Sequence, residues 1–327
     1  MDYLKNKGIS LVSTGKALPS KVVTNDDLGK IVDTSDEWIY TRTGIKSRYK
    51  CEDESCTSLA VSAARNALTK AGIDKNEIGV IVVATSTPDN VFPSVACQIQ
   101  KALELDEEVM AFDLSAACTG FIYALGVANV LLHTGKKEYA LVVGSEEMSR
   151  ITDYSDRGTC ILFGDGAGAV VVTEGEGYIA SRLTTASKTS CLYYQRRLEP
   201  TPYITKEEKS APMYMNGRDV FKTAVLSSSR DITALLKQTG LAPADIKHYV
   251  LHQANMRIVE AIASYLKLDM SHFPHNVERR GNTSSASIPL LLDELYQEGR
   301  LQRGDKILMS AFGAGFTTGA CIFEWTK

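Results

Sequence analysis

Residues 248–268 read HYVLHQANMRIVEAIASYLKL: an apolar run of strand length, a break at His252-Gln253-Ala254-Asn255, then a segment of helical period. Its apolar stripe is Ile258, Ile262, Tyr265 and Leu266. The same order stands earlier in the chain, where VIVVATST (80–87) leads through Pro93 into ACQIQKALEL (96–105). Working outward, the correspondence continues. AFDLS (111–115) runs into AACTGFIYALGVANVL (116–131), as HNVERRGNTSSAS (275–287) runs into IPLLLDELYQEG (288–299). YALVVGSEE (139–147) then matches KILMSAFGAG (306–315).

Such alternation of short β-branched runs with helical segments predicts an α/β protein. Strands are expected over 78–84, 110–114, 139–144, 168–172, 248–252, 306–311 and 319–325. A helix is expected over 59–71, with Leu59, Ala63, Ala67 and Leu68 on its buried face. The repetition predicts two similar halves about a pseudo-twofold axis. The glycine-rich stretch TEGEGY places their boundary near 175–177, giving halves 1–176 and 177–327. Residues 184–213 are polar and irregular and read as a long surface excursion.

Composition excludes several classes. The chain has 327 residues, 44% hydrophobic and 23% charged, and a net charge of −3, which is unlike a general nucleic-acid binder. Residues 218–267 hold seven Lys/Arg against four Asp/Glu, a local +3 suited to an anionic partner. Seven irregularly spaced cysteines form no C-x-x-C pair, and five histidines form no H-E-x-x-H, so neither a disulfide framework nor a metal site is expected. The opening MDYLKNKGIS lacks an apolar core of signal-peptide length, and no apolar run approaches membrane-spanning length. A cytoplasmic protein is expected.

The duplicated pattern brings Cys118, His252, Asn282 and the glycines of AFGAGF to equivalent strand-to-helix turns, where α/β proteins build sites. An isolated cysteine is ordinarily a core residue, an isolated histidine a satisfied structural one, and an isolated asparagine an N-cap. Together they form a set suited to nucleophilic acyl transfer. Cys118 begins an apolar helix, and the helix dipole is expected to favour its thiolate. The glycines of AFGAGF permit a turn that aims an N–H at a developing oxyanion.

The segments DLSAACTGFIYAL (113–125), LHQANMRI (251–258), GNTSSAS (281–287) and AFGAGFTTG (311–319) resemble signatures of the β-ketoacyl-acyl-carrier-protein synthase III family. TSDEWIYTRTGI, PSVACQIQ, SDRGT and FGDGAGAVV are also similar to it, in the family's order, so the resemblance covers about residues 8–325. It implies a five-layered thiolase-like fold and a homodimer. It also implies a decarboxylative condensation that initiates fatty-acid synthesis. Cys118 would take an acyl group from acyl-CoA. His252 and Asn282 would stabilise the enolate formed from malonyl-acyl-carrier protein, and the N–H groups of Cys118 and Ala314 would form the oxyanion hole. No cofactor is implied beyond the coenzyme A thioester substrate. A second histidine in place of Asn282 would suggest an elongating synthase.

By the same resemblance, Trp38 and Arg157 would sandwich the adenine of coenzyme A. Asn216, Phe221 and Ala254 would line the pantetheine tunnel, and Phe312 would exclude water beside the nucleophile. Phe92 would cross the dimer interface to the acyl pocket, while Lys222 and Arg257 would receive the carrier protein. Two departures stand out. Basic residues expected near Ser264 and Tyr265 are absent, and TTASKTSCLYYQ (184–195) replaces the family's Ser-Asp-Gly-type turn beside the acyl pocket. Bulky residues in that segment are expected to favour short acyl primers. Two other readings share the set: a starter-unit condensing enzyme or related acyltransferase of secondary metabolism, and an inactive homologue that only binds acyl groups or a carrier protein.

Overall fold

The computed structural model describes residues 8–195, 201–203 and 212–327. Among the described residues there are thirteen strands, numbered in chain order. The first seven are β1 (Gly8–Ala17), β2 (Lys21–Thr24), β3 (Ser47–Lys50), β4 (Ile78–Ala84), β5 (Met110–Leu114), β6 (Tyr139–Glu147) and β7 (Asp165–Gly175). The rest are β8 (Tyr178–Lys188), β9 (Leu192–Tyr193), β10 (Tyr214–Met215), β11 (His248–Leu251), β12 (Lys306–Gly313) and β13 (Gly315–Glu324). One sheet has the order β1-β7-β6-β4-β5 and another the order β8-β13-β12-β11. Directions match as well: β1/β7 and β7/β6 are antiparallel and β6/β4 parallel, as β8/β13 and β13/β12 are antiparallel and β12/β11 parallel.

The apolar runs are nearly continuous because both faces of each sheet are covered. In β4, Val80, Val82 and Ala84 point to the centre of the molecule, while Ile81 and Val83 face outward. The central layer is made by helices Gly120–Leu131 and Ser287–Gln297. Phe121 and Leu125 of one, and Leu291 and Leu295 of the other, share a core with Val142, Val170, Met309 and Phe323 from both sheets. Helices Cys56–Ala71 and Val95–Ala102 cover the first sheet's outer face. Gly217–Thr239 and Met256–Leu266 cover the second sheet's. Five layers result, alternating helix and sheet.

Two expectations need correction. Residues 117–134 form a continuous helical stretch long and apolar enough to span a bilayer, contrary to the reading that no apolar run approaches that length. Its composition reflects its place in the central layer, between two apolar sheet faces. The irregular excursion also begins later than expected. β8 continues to Lys188, because its threonines pair with β13 (Thr184 with Thr318, Thr185 with Thr317) and hold the strand in register. Residues 192–193 and 214–215 then form a short antiparallel pair. Within the expected excursion, residues 196–200 and 204–211 lie outside the described residues.

The central helices approach the first sheet closely. A Cβ built on Gly144 would lie 2.4 Å from the Ser285 carbonyl oxygen. That oxygen belongs to rigid backbone in the turn after Asn282. Gly144→Ala should therefore destabilise the protein by about 1–3 kcal/mol, read as a lower urea midpoint at unchanged slope.

Candidate active site

Two turns of the same shape pack together at the centre. Ala117 (φ +48°) and Ser284 (φ +49°) both adopt left-handed backbone. Each opens a single 3-10 turn, Ala117–Thr119 or Ser284–Ala286, that runs into a central helix. For residues with a side chain, this conformation costs on the order of 1 kcal/mol or more. The pairing of the two turns, one after β5 and the other after the short helix Val277–Arg280, brings Cys118 and Asn282 to one cavity of about 690 Å³.

Cys118 faces that cavity. Burial pushes its thiol up to about 12, with the Glu146 carboxylate adding to the rise and the Ser284 hydroxyl opposing it. The shift from 9 corresponds to about 4 kcal/mol. A helix dipole supplies at most about 2 kcal/mol. The helix dipole, which favours the thiolate, and the surroundings of the sulfur, which favour the thiol, therefore act in opposite directions on Cys118.

His252 lies just beyond β11 and is buried. Burial lowers its pKa to about 3, so the ring is neutral near pH 7. Its Nδ1 is 2.7 Å from Ser287 Oγ, and that oxygen also accepts a weak hydrogen bond from Gln253 N–H at 3.4 Å. When the serine hydrogen is directed to Nδ1, the ring hydrogen lies on Nε2, the tautomer that offers a donor to the cavity. Nε2 is buried with no hydrogen-bond partner among the described residues.

Asn282 is anchored at both ends of its peptide unit. Its N–H donates to Leu162 O at 2.8 Å, and its carbonyl accepts from Gly164 N–H at 2.9 Å. Its Oδ1 accepts from Ser284 N–H at 2.9 Å, so the amide offers Nδ2–H to the cavity. His252 and Asn282 thus present two N–H donors, the pairing a carbonyl oxygen gaining negative charge requires.

The opposite wall is the loop 312–315. A Cβ on Gly313 would approach Cys118 N to 2.8 Å, so only glycine lets this loop lie against the Cys118 backbone. Thr119 and Thr317 hydroxyls are 2.6 Å apart, and Thr317 Oγ1 is also within reach of Ala116 O (3.1 Å) and Ala314 O (3.2 Å). This clamp fixes Ala314 relative to Cys118. Phe312 stands edge-on to the His252 ring at 5.1 Å and stacks on Phe316 at 5.9 Å.

Trp38, Phe221 and Ala254 also line the cavity. Arg157 lies over the Trp38 ring at 4.4 Å and donates to Asp33 O, and Arg42 lies over the same ring at 4.4 Å. That distance leaves no space for an adenine between Trp38 and Arg157 without movement of the guanidinium. Asn216 instead caps helix Gly217–Thr239, accepting from Asp219 N–H, and its neighbours Met215 and Gly217 reach the cavity. Phe92 is 84% exposed and lies outside the cavity. Lys222 and Arg257 are exposed, with Arg257 5.9 Å from the Phe221 ring. Thr189, Leu192, Tyr193 and Tyr194 of the divergent segment line the cavity, as do Met148, Met213 and Met215.

The sequence reading did not find Ser284, Ser287, Thr317, Glu146 or Arg42. Arg42 had a signal, four residues after Trp38 on helix Asp36–Thr43. The hydroxyl residues had none, because their roles depend on contacts between distant turns.

Residues 112–189 match the family described as 3-oxoacyl-[acyl-carrier-protein (ACP)] synthase III, and residues 236–325 match its C-terminal counterpart. A β-ketoacyl-[acyl-carrier-protein] synthase III from Alkalilimnicola ehrlichii is 44% identical, over 96% of this chain and 98% of that protein. The crystal structure of 3-oxoacyl-[acyl-carrier-protein] synthase III from Aquifex aeolicus superposes with a TM-score of 0.90 at 42% identity, covering 97% of this chain and 100% of that one. The priming β-ketosynthase of the R1128 polyketide pathway gives 0.91 at 33% identity, covering 98% and 97%. Fold and matches define a condensing acyltransferase of the thiolase-like class. The chain belongs to the β-ketoacyl-[acyl-carrier-protein] synthase III family.

The lowered pKa of His252 has a consequence for stability. Unfolded, the ring takes up a proton near pH 6.5; folded, it does so only near 3. The unfolded state binds more protons in between, so stability falls as pH drops through that window. His252→Gln should reduce this fall, measured as the difference between urea midpoints at pH 7 and pH 4.5. An unchanged difference would mean that the ring is solvated.

Proposed function

We propose that this chain condenses an acyl-CoA primer with malonyl-acyl-carrier protein to give 3-oxoacyl-acyl-carrier protein, with Cys118 as nucleophile. The convergence of Cys118, His252 Nε2 and Asn282 Nδ2 on one cavity carries this reading. In the first half-reaction the Cys118 sulfur attacks the acyl-CoA carbonyl, and the oxyanion is held by the N–H groups of Cys118 and Ala314. The carbon–sulfur bond to coenzyme A breaks, and free coenzyme A leaves.

Malonyl-acyl-carrier protein then enters the same cavity. His252 and Asn282 donate to its thioester carbonyl, and carbon dioxide departs as the oxygen gains negative charge. The neutral histidine acts as a hydrogen-bond donor, consistent with its depressed pKa. The enolate carbon attacks the acyl-Cys118 thioester, giving the product and free Cys118. Phe312, beside His252, excludes water from the developing charge.

Around this centre, Trp38 with Arg157 holds the adenine once the guanidinium lifts from the ring, and Arg42 braces the indole. Phe221 and Ala254 flank the pantetheine, with Asn216 setting the start of the adjoining helix. Lys222 and Arg257 receive the acidic carrier protein. The exposure of Phe92 supports its place at a homodimer interface, and the matched strand order of the two sheets supports halves 1–176 and 177–327. The enzyme acts in the cytoplasm and needs no cofactor beyond its thioester substrates. The close likeness to a priming polyketide ketosynthase supports a second reading, the same chemistry supplying starter units in secondary metabolism.

The half-reactions should separate. Wild-type protein exposed to acetyl-CoA should gain one acetyl mass, and Cys118→Ala should gain none while keeping its thermal midpoint. Asn282→Ala should still be acylated yet condense about 10²–10³-fold more slowly. Acylation that persists in Cys118→Ala, or near-normal condensation by Asn282→Ala, would overturn the assignment. Trp38→Ala should weaken use of acetyl-CoA by about 1–2 kcal/mol while sparing acetyl-pantetheine; equal losses with both donors would remove its role at the adenine.

A further inference from the structure

The reaction above leaves a buried acid without a role. Glu146, near the end of β6, has no exposed surface. It stands two residues after Gly144 on the same face of the strand, so both meet the turn Ser284–Ala286. Gly144 lets that turn approach, and Glu146 bonds to it. The buried carboxylates Glu147, Asp231, Asp293 and Glu294 each pair with lysine or arginine. Among the described residues Glu146 has no cationic partner, and its contacts are hydroxyls and one N–H. Oε2 accepts from Thr87 Oγ1 at 2.6 Å and Ser86 N–H at 3.0 Å, with Thr85 Oγ1 at 3.4 Å. Oε1 accepts from Ser284 Oγ at 3.0 Å and Ser285 Oγ at 2.9 Å. One carboxyl group therefore joins the loop after β4 in the first half to the turn after Asn282 in the second.

Ser284 links this acid to the cavity. Its backbone is left-handed, at φ +49°, and its N–H donates to Asn282 Oδ1 at 2.9 Å. A backbone N–H can only donate, so the amide oxygen faces Ser284 and Nδ2 is the end left for the cavity. Glu146, Ser284 and Asn282 form an unbroken series. The carboxyl holds the serine hydroxyl, and the N–H of the same serine holds the amide.

We propose that Glu146 is a positioning residue for the condensation half-reaction, keeping the Asn282 amide in its donating orientation by way of Ser284. This inference rests on Asn282 serving as a donor to the malonyl thioester carbonyl. If Ser284 relaxed to right-handed backbone, its N–H would swing away from Oδ1. The amide could then turn its oxygen to the cavity, and an acceptor there opposes the charge that the carbonyl oxygen gains. The cost of left-handed backbone at a serine and the return from a hydrogen bond to a carboxylate are of similar size. Loss of the Glu146 contact is therefore enough to shift the turn.

The two half-reactions differ in their need for this contact. Ala117, the matching left-handed residue of the first half, has no hydroxyl to be held, and Cys118 reacts through its sulfur rather than through an amide that can turn. His252, the other donor, is oriented separately, through Ser287. Removing the Glu146 contact thus disturbs one of the two donors used in condensation and neither of the groups proposed for acyl capture.

The test times the half-reactions separately. Enzyme acetylated by long incubation with acetyl-CoA is mixed with malonyl-acyl-carrier protein, and loss of the acetyl mass is followed in a single turnover; acylation by acetyl-CoA is timed on the free enzyme. Ser284→Ala keeps the backbone N–H and removes the hydroxyl. It should slow condensation about 10²-fold and acylation no more than about tenfold. Glu146→Ala should show the same split. Glu146→Gln should recover most of the lost rate, because its amide N–H can donate to Ser284 Oγ while its oxygen still accepts from Ser86 and Thr87. Added to Asn282→Ala, Ser284→Ala should slow condensation no more than about threefold further, since the group it orients is gone; a general packing role would multiply the two losses. Ser284→Ala decides the matter if Glu146→Ala fails to fold, read by its thermal midpoint. Wild-type condensation by Ser284→Ala, equal losses in both half-reactions, multiplied losses in the double variant, or no recovery in folded Glu146→Gln overturns the positioning role. Near-normal condensation by Asn282→Ala alone overturns instead the reading beneath it.

Discussion

The positions of the reactive groups depend on the contact between two left-handed turns, one from each half. Ala117 and Ser284 adopt backbone that an alanine or serine avoids, and tertiary packing holds them there. Gly144 lets the second turn press against β6, and Gly313 lets the oxyanion loop press against the first. Loss of either close approach would move Cys118 relative to Asn282. Displacements on the order of 1 Å at such centres cost about 10²-fold in rate. The strain is local, and the whole central layer opposes its release.

The two sheets supply what these turns require. Each central helix is clamped between apolar faces, so its first residue cannot shift along its axis without opening the core. This explains why the apolar helix that follows Cys118 lies in the middle of the molecule. It also explains the chemistry around Cys118. The packing that fixes the sulfur also raises its proton affinity.

Much of this was legible in the sequence. The alternation in residues 78–84 and its echo in 248–252 carry a period that both faces of a covered sheet enforce, and the duplicated order follows from it. Cys118 and His252 were found because each sits just beyond a strand, where the chain turns towards a helix; Asn282 instead follows the short helix Val277–Arg280, and loop 312–315 joins β12 to β13, so neither is the strand-to-helix turn expected of it. The rest was hidden for identifiable reasons. Ser284 and Ser287 act through side chains whose partners lie 35 or more positions away, as with His252 and Ser287 or Glu146 and Ser284. Thr184 and Thr185 looked like loop residues until pairing with β13 fixed them as strand. The surroundings that raise the proton affinity of Cys118 come from distant parts of the chain, which spacing does not encode.

The stacking of Arg157 and Arg42 on Trp38 gives the molecule an optical property. The chain has two tryptophans, and Trp325 is buried at 1% exposure in the central layer against Tyr296. Trp38 alone faces the cavity, with two guanidinium groups against its ring. Exchange of one guanidinium for a nucleotide base would change the indole's electronic surroundings and leave Trp325 undisturbed. The emission of the unlabelled protein would therefore report whether the cavity mouth is closed on itself or holds a ligand.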